Sequence, residues 1–292
     1  MVLNAPMILD YNVARRDYDA YGRYCPDKNK PVGLGQGFGA FSPAYACSNE
    51  ETARVVKLLK PSGKTALAIA GSGDMPFVLT ASGAAHVDTF DVSNHANLVT
   101  RVKIGMLQSG MNLKQYRNQL HKVQEIGHFF TNAKMMDIVS QSLNINEIEY
   151  LKGMSGCRIV RYTRPQNWFP YVEQYNLMQH KVCEPYNFIR ADIHDIFGHI
   201  QNNKYDIIYL SNVFDYVTDF VTREPDEVSI SFLLEKFAKH LNPHGVIVAN
   251  SLMRPIRKYC VKLYLENIAR NVRQYGDIIY NEHAKAMLLQ TR

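Results

Sequence analysis

Cysteine is sparse in this 292-residue chain and never doubled: the five, at positions 25, 47, 157, 183 and 260, include no CxxC pair. That spacing argues against a disulfide framework and against a structural zinc site. The ten histidines form no HExxH and no paired spacing with cysteine, so no metal is expected. No apolar run approaches the roughly 18 residues that cross a bilayer, so no transmembrane segment is expected. Residues 1–12 lack a basic stretch ahead of an apolar one, and no signal peptide is expected. Repeats and low-complexity tracts are absent, and tryptophan occurs once, at Trp168. The charge excess is a modest +6, from 33 basic and 27 acidic residues. With 46% apolar and 21% charged residues the composition is that of a globular protein, neither disordered nor collagen-like. The expectation is one large cytoplasmic domain, or one carrying an insertion.

What is present is a strand–helix rhythm. Ser48 and Glu51 have capping-box spacing and open a helix that ends near Leu59. A short apolar run over 65–70 reads as a buried strand, the turn at 71–74 leads to a helix over 76–82, and 86–91 reads as a second strand. A helix over 94–108 follows. The rhythm then breaks over 110–185, where helical stretches are predicted at 113–130, 132–142 and 146–151. It resumes with strands at 186–192 and 205–210, a helix over 229–240, a turn at 242–245, a strand over 245–250 and a helix over 255–272. A terminal hairpin is predicted from 277–280 and 284–290. Strands alternating with helices imply a parallel sheet with right-handed crossovers. The predicted fold is α/β, a doubly wound and mostly parallel seven-stranded sheet. An N-terminal extension occupies 1–47, and the main domain spans 48–292 with its helical insertion at 110–185. Gly33, Gly35, Gly37 and Gly39, set among Phe38 and Phe41, read as a lid, because no strand precedes them as a phosphate cradle requires.

Open α/β sheets bind ligands outside the carboxyl ends of their strands. Here those ends carry Ala70, Gly71, Ser72, Gly73 and Asp74 after the first strand, and Asp91, Val92 and Ser93 after the second. The third ends in Asp192 and Ile193, and the fourth in Ser211 and Asn212, with Asp215 and Tyr216 just beyond. Glycine lets backbone approach a ligand, and an acid 20 residues after Gly71 suits the two hydroxyls of a ribose. Asp192 is placed to meet an adenine. Each acid has an alternative role as a helix cap, but four such loops together favour an adenosine-containing ligand. A dinucleotide needs free amides for its pyrophosphate, whereas Asp74 repels phosphate and Pro76 lacks an amide donor. S-adenosylmethionine carries a sulfonium cation and no phosphate, and is the expected group donor.

At residues 65–74 the sequence resembles the first motif of the S-adenosylmethionine-dependent 3-amino-3-carboxypropyltransferases, the family that includes the betaine-lipid synthases, on a class I methyltransferase-like Rossmann fold. Methyltransferases of that fold carry an acid where Ala68 stands and glycines where Ala70, Ser72 and Asp74 stand. Asp91 with Lys103 twelve residues on, the helical insertion and residues 211–216 are also similar, and the resemblance spans roughly 50–250. It implies transfer or cyclisation of the aminocarboxypropyl group, with release of 5′-methylthioadenosine. The tryptophan-and-acid segment of the family is replaced here by Pro43–Cys47, so the acceptor, small molecule or lipid, is not carried over.

Three carbons flank a sulfonium, and the one that reacts is the one facing the nucleophile. Asp74, at a helix N-terminus, is expected to hold the methionyl ammonium in a pose that presents the γ-carbon. Asp215 is the candidate base and Tyr216 the orienting hydroxyl. Arg161 and Arg164 are candidates for the methionyl carboxylate, with a solvated surface as their plainer role. Residues 251–292 hold eight basic and three acidic residues. There Val261, Leu265, Ile268 and Val272 share one helical face, and Lys258, Lys262, Glu266 and Arg270 the other, an ordinary amphipathic pattern that disfavours nucleic acid as partner. Methyl transfer to a small molecule and a non-catalytic nucleotide- or RNA-binding module are the alternative functions.

Overall fold

The computed structural model describes residues 46–48, 52–155, 172–181, 187–216, 227–250, 276–281 and 286–291. The glycine-rich segment at 33–39, Pro43, Trp168, Arg161, Arg164 and the helix expected over 255–272 lie outside them. So do the side chains of Asp215 and Tyr216, whose backbone falls in a 3-10 turn, Val213–Tyr216.

The elements alternate as the sequence suggests: α1 (Thr52–Leu59), β1 (Thr65–Ile69), α2 (Asp74–Ala81), β2 (His86–Asp91) and α3 (Asn94–Gln108). After α3 come α4 (Leu113–Lys122), a 3-10 turn at Ile126–Phe130, α5 (Ala133–Ser142), α6 (Ile145–Gly153) and α7 (Val172–Lys181). The remaining elements are β3 (Asn187–Arg190), α8 (Ile196–His199), β4 (Tyr205–Tyr209), α9 (Glu227–Ala238), β5 (Leu241–Asn250), β6 (Gly276–Asn281) and β7 (Ala286–Thr291). The strands form one seven-stranded sheet in the order β3-β2-β1-β4-β5-β7-β6. Neighbours among β1 to β5 are parallel, while β7 runs antiparallel between β5 and β6. This is the doubly wound sheet expected, reversed at the β1/β4 seam, with the hairpin folded back so that its second strand joins β5.

Alternation along the strands divides the interior. Ala66, Ala68, Ile207, Tyr209 and Val248 face one layer, and Leu67, Phe90, Ile189, Ile208 and Ile247 the other. The second layer is closed by Ile196, Ile230, Leu233, Leu234 and Phe237 from α8 and α9. The first is built by Phe77 and Val78 of α2, Leu98 and Val102 of α3, and then by Tyr116, Met135, Ile138, Tyr150, Tyr175 and Met178 from residues expected to form the insertion. These helices therefore share the core of the sheet. Polar contacts fasten them: Tyr175 Oη donates to the carbonyl of Met111 at 2.6 Å, the Tyr150 hydroxyl meets His95 Nε2 at 2.9 Å, and Arg101 pairs with Glu147.

Several boundaries differ from expectation. The helix over 113–130 is broken after Lys122, and the amide of Gly127 is bonded instead to the carbonyl of Ser155 at 2.8 Å. The third strand shortens to Asn187–Arg190. Residues 242–245 are not a free turn. They form a bulge within β5, where Tyr205 pairs with Leu241 but Ile207 with Val246. His244 takes a positive φ of 62° there, and a Cβ on Gly245 would lie 2.8 Å from the carbonyl oxygen of Asn242. The Asp206 carboxylate secures the bulge, accepting Asn242 Nδ2 at 2.9 Å and the Thr65 amide at 2.8 Å.

Candidate functional site

Parallel pairing brings the carboxyl ends of β3, β2, β1 and β4 side by side. The Ala70 amide donates to Phe90 O at 2.8 Å, and the Ala191 amide to Asp91 O at 3.1 Å, so the tips are stitched to one another. Asp91 sits at the centre. One carboxylate oxygen accepts the Gly71 amide at 2.8 Å and the other the Ser93 amide at 2.9 Å. The acid after the second strand thus meets the glycine loop after the first. Burial pushes the Asp91 carboxyl up to about 6, against the pull of the Ser93, Gly71 and Val92 amides. It is still mainly ionised at neutral pH, and a carboxylate has about four acceptor sites, so it keeps capacity for further donors. Ser93 caps α3, its hydroxyl accepting the Ala96 amide at 3.2 Å.

The loop itself turns on two glycines. Gly71 has φ of 51° and Gly73 of 80°. Among the described residues a Cβ at Gly71 would meet nothing within 4 Å. At Gly73 a Cβ would meet Thr100 Oγ1 at 2.8 Å. Gly73→Ala is therefore expected to cost about 1–3 kcal/mol from the left-handed backbone and the contact together. Thr100→Ala in the same chain should relieve only the contact, and urea denaturation of both variants checks this.

Helix α2 starts at Asp74 rather than at Pro76, so the proline sits in the first turn, where a missing amide breaks no intrahelical bond. Asp74 is only 1% exposed and both its oxygens are engaged. Oδ1 holds the Lys103 ammonium at 2.5 Å, and Oδ2 accepts the Ser48 amide at 2.6 Å and the Ser72 hydroxyl at 3.1 Å. The sequence suggests that Asp74 grips a methionyl ammonium; in the structure the ammonium it holds is that of Lys103. The phosphate-repulsion argument changes with it, because the lysine neutralises the acid. What still opposes a pyrophosphate is that the Gly73 amide is bonded to Ala70 O at 2.6 Å, that the Asp74 amide lies 3.3 Å from the Ser72 hydroxyl, and that Pro76 has none.

At the flanks, Asp192 is half-buried and its side chain accepts the His194 amide at 2.9 Å, while Ile193 is buried. After β4, Ser211 adopts φ of 54°, unusual for a residue with a side chain, and its hydroxyl donates to Asn212 Oδ1 at 3.2 Å. Ser211 and Asn212 are both half-buried. The structure thus brings together Ala70, Gly71, Ser72, Gly73, Asp91, Val92, Ser93, Asp192, Ile193, Ser211 and Asn212 on four neighbouring strand tips. Sequence reasoning missed that residues 46–48 join this group. It marked Lys103 only through its spacing from Asp91. Among the described residues no three His, Cys, Asp or Glu side chains gather as a metal cluster, and no helix is long and apolar enough to cross a membrane.

No family model matches the chain, and no curated protein matches it. Solved structures do. One is a Streptococcus mutans protein classed as a SAM-dependent methyltransferase, 12% identical with a TM-score of 0.41, covering 82% of this chain and 49% of that one. This chain therefore spans about half of that protein's length. The N-methyltransferase NodS from Bradyrhizobium japonicum, in complex with S-adenosyl-L-homocysteine, is 13% identical with a TM-score of 0.38, covering 94% and 97%. The rRNA methyltransferase aviRa from Streptomyces viridochromogenes is 13% identical with a TM-score of 0.38, covering 92% and 93%.

Proposed function

We propose that the chain binds S-adenosylmethionine across the tips of β1 to β4 and transfers its methyl group to a small-molecule acceptor. The observation that carries this reading is the Asp91 carboxylate bonded to the Gly71 amide, with none of the described residues standing where a Gly71 side chain would be. In this reading Asp91 accepts the ribose hydroxyls, and the loop at 70–73 lies along the methionyl chain. Asp192 and Ile193 border the adenine, and Ser211 and Asn212 border the sulfonium. The donor supplies an activated methyl group, so the protein's task is to align donor and nucleophile and to exclude water. Asp215 and Tyr216, one turn beyond β4, are proposed to take the acceptor's proton and to orient the acceptor.

Methyl transfer is preferred because the Asp74 carboxylate, which the aminocarboxypropyl reading offered to the methionyl ammonium, is paired with Lys103. One observation favours the latter as a second reading: Ala68, fully buried in β1, stands where methyltransferases of this fold carry an acid. The co-product decides. Incubated with S-adenosylmethionine and candidate acceptors, the protein is expected to yield S-adenosylhomocysteine. 5′-Methylthioadenosine as the main nucleoside would promote aminocarboxypropyl transfer, and no binding by calorimetric titration would leave a non-catalytic module.

A further inference from the structure

We infer that Lys103 is the positioning residue of the donor loop, and that through it residues 46–48 form part of the donor-pocket wall. The inference rests on the reading that this loop holds S-adenosylmethionine. Lys103 projects from α3 into the interior and is fully buried. Its ammonium has three protons and three acceptors: Asp74 Oδ1 at 2.5 Å, the carbonyl of Ser72 at 2.6 Å and the carbonyl of Ala46 at 3.2 Å. The Phe77 ring lies 5.6 Å from it. Asp74 returns the connection by accepting the Ser48 amide. One buried charge pair thus holds two backbone stretches, the loop after β1 and residues 46–48, against the same helix.

Core filling alone does not call for this arrangement. Apolar side chains of similar volume commonly replace a buried ion pair at no loss, or with a gain, in stability. What an apolar pair cannot do is direct a carbonyl. The bond to Ser72 O fixes the peptide between the two left-handed glycines, and so sets the path of the backbone on which the donor lies. The bond to Ala46 O holds Cys47, whose side chain is buried, beside that loop.

The double variant Asp74→Asn/Lys103→Met separates positioning from stability, because it leaves no uncompensated charge. It is expected to recover most of the thermal stability that Lys103→Met loses, yet to bind S-adenosylmethionine at least tenfold more weakly by calorimetric titration. Binding equal to wild type would overturn the inference while leaving the function reading intact. The unaltered protein offers a second measurement should the double variant not fold. Saturating S-adenosylmethionine is expected to slow hydrogen exchange at the amides of residues 46–48, followed by peptide mass spectrometry, at least threefold. An unchanged rate would remove residues 46–48 from the pocket wall. Wild-type protein that takes up no S-adenosylmethionine would overturn the function reading, and this inference with it.

Discussion

Lys103→Met is expected to lower the free energy of unfolding by about 3–5 kcal/mol, the usual cost of removing one partner from a buried ion pair. The methionine fills similar volume, so the loss comes from the Asp74 carboxylate, which stays buried without its cation. Two backbone carbonyls, Ser72 O and Ala46 O, lose their donor as well. Urea denaturation at neutral pH measures the difference. A loss below about 1 kcal/mol would show that Asp74 finds water or another cation, and that the pair is not a determinant of the fold.

Asp91→Ala is expected to weaken S-adenosylmethionine binding by about 1.5–3 kcal/mol, roughly ten- to 150-fold, the worth of hydrogen bonds to a charged group. The pH dependence tests the same contact independently. In the proposed reading the ribose hydroxyls donate to the ionised carboxylate, which burial pushes up to about 6. Affinity should therefore be flat above about pH 7 and weaken as pH falls through 6, by at most tenfold per unit. Asp91→Asn should abolish that slope. Stability runs the other way. The folded pKa lies above the ordinary carboxylate value of 3.8, so ionised Asp91 opposes folding; this cost is absent below about pH 3.8, grows between there and 6, and is complete above. A dissociation constant independent of pH between 5 and 8 would remove Asp91 from the ribose.

The fold was legible where periodicity and punctuation agree. α3 spans Asn94–Gln108, the range predicted for it, and β2 runs to Asp91 because a buried run is closed by an acid. The misses have physical causes. Gly73 looked like a linker to a helix starting at Pro76, but its left-handed backbone caps the helix two residues earlier. Residues 242–245 carry strong turn chemistry, Asn-Pro-His-Gly, yet the strand continues through them, because Asp206 on β4 supplies the partner that anchors a bulge. In the site, the strand-tip residues were readable from position alone. The pairing of Asp74 with Lys103 was not, since it depends on how α3 packs against the loop, 29 positions away in sequence. No local pattern records that an acid at a helix start faces a lysine instead of solvent.

The seam between β1 and β4 has a consequence for how the molecule is made. Ala66 pairs with Ile207, and the Thr65 amide reaches Asp206, 141 positions later. During vectorial synthesis at about 5–20 residues per second, β1 leaves the ribosome several seconds or more before its central neighbour exists. Meanwhile β2 and the helices that follow can bury one of its faces. The other face, with Leu67, must wait for β4 and α9. A nascent chain stalled before residue 205 would present that half-sheet edge to chaperones or to other nascent chains. Codon-slowed translation between residues 110 and 185 is thus expected to raise the aggregated fraction without altering the finished protein.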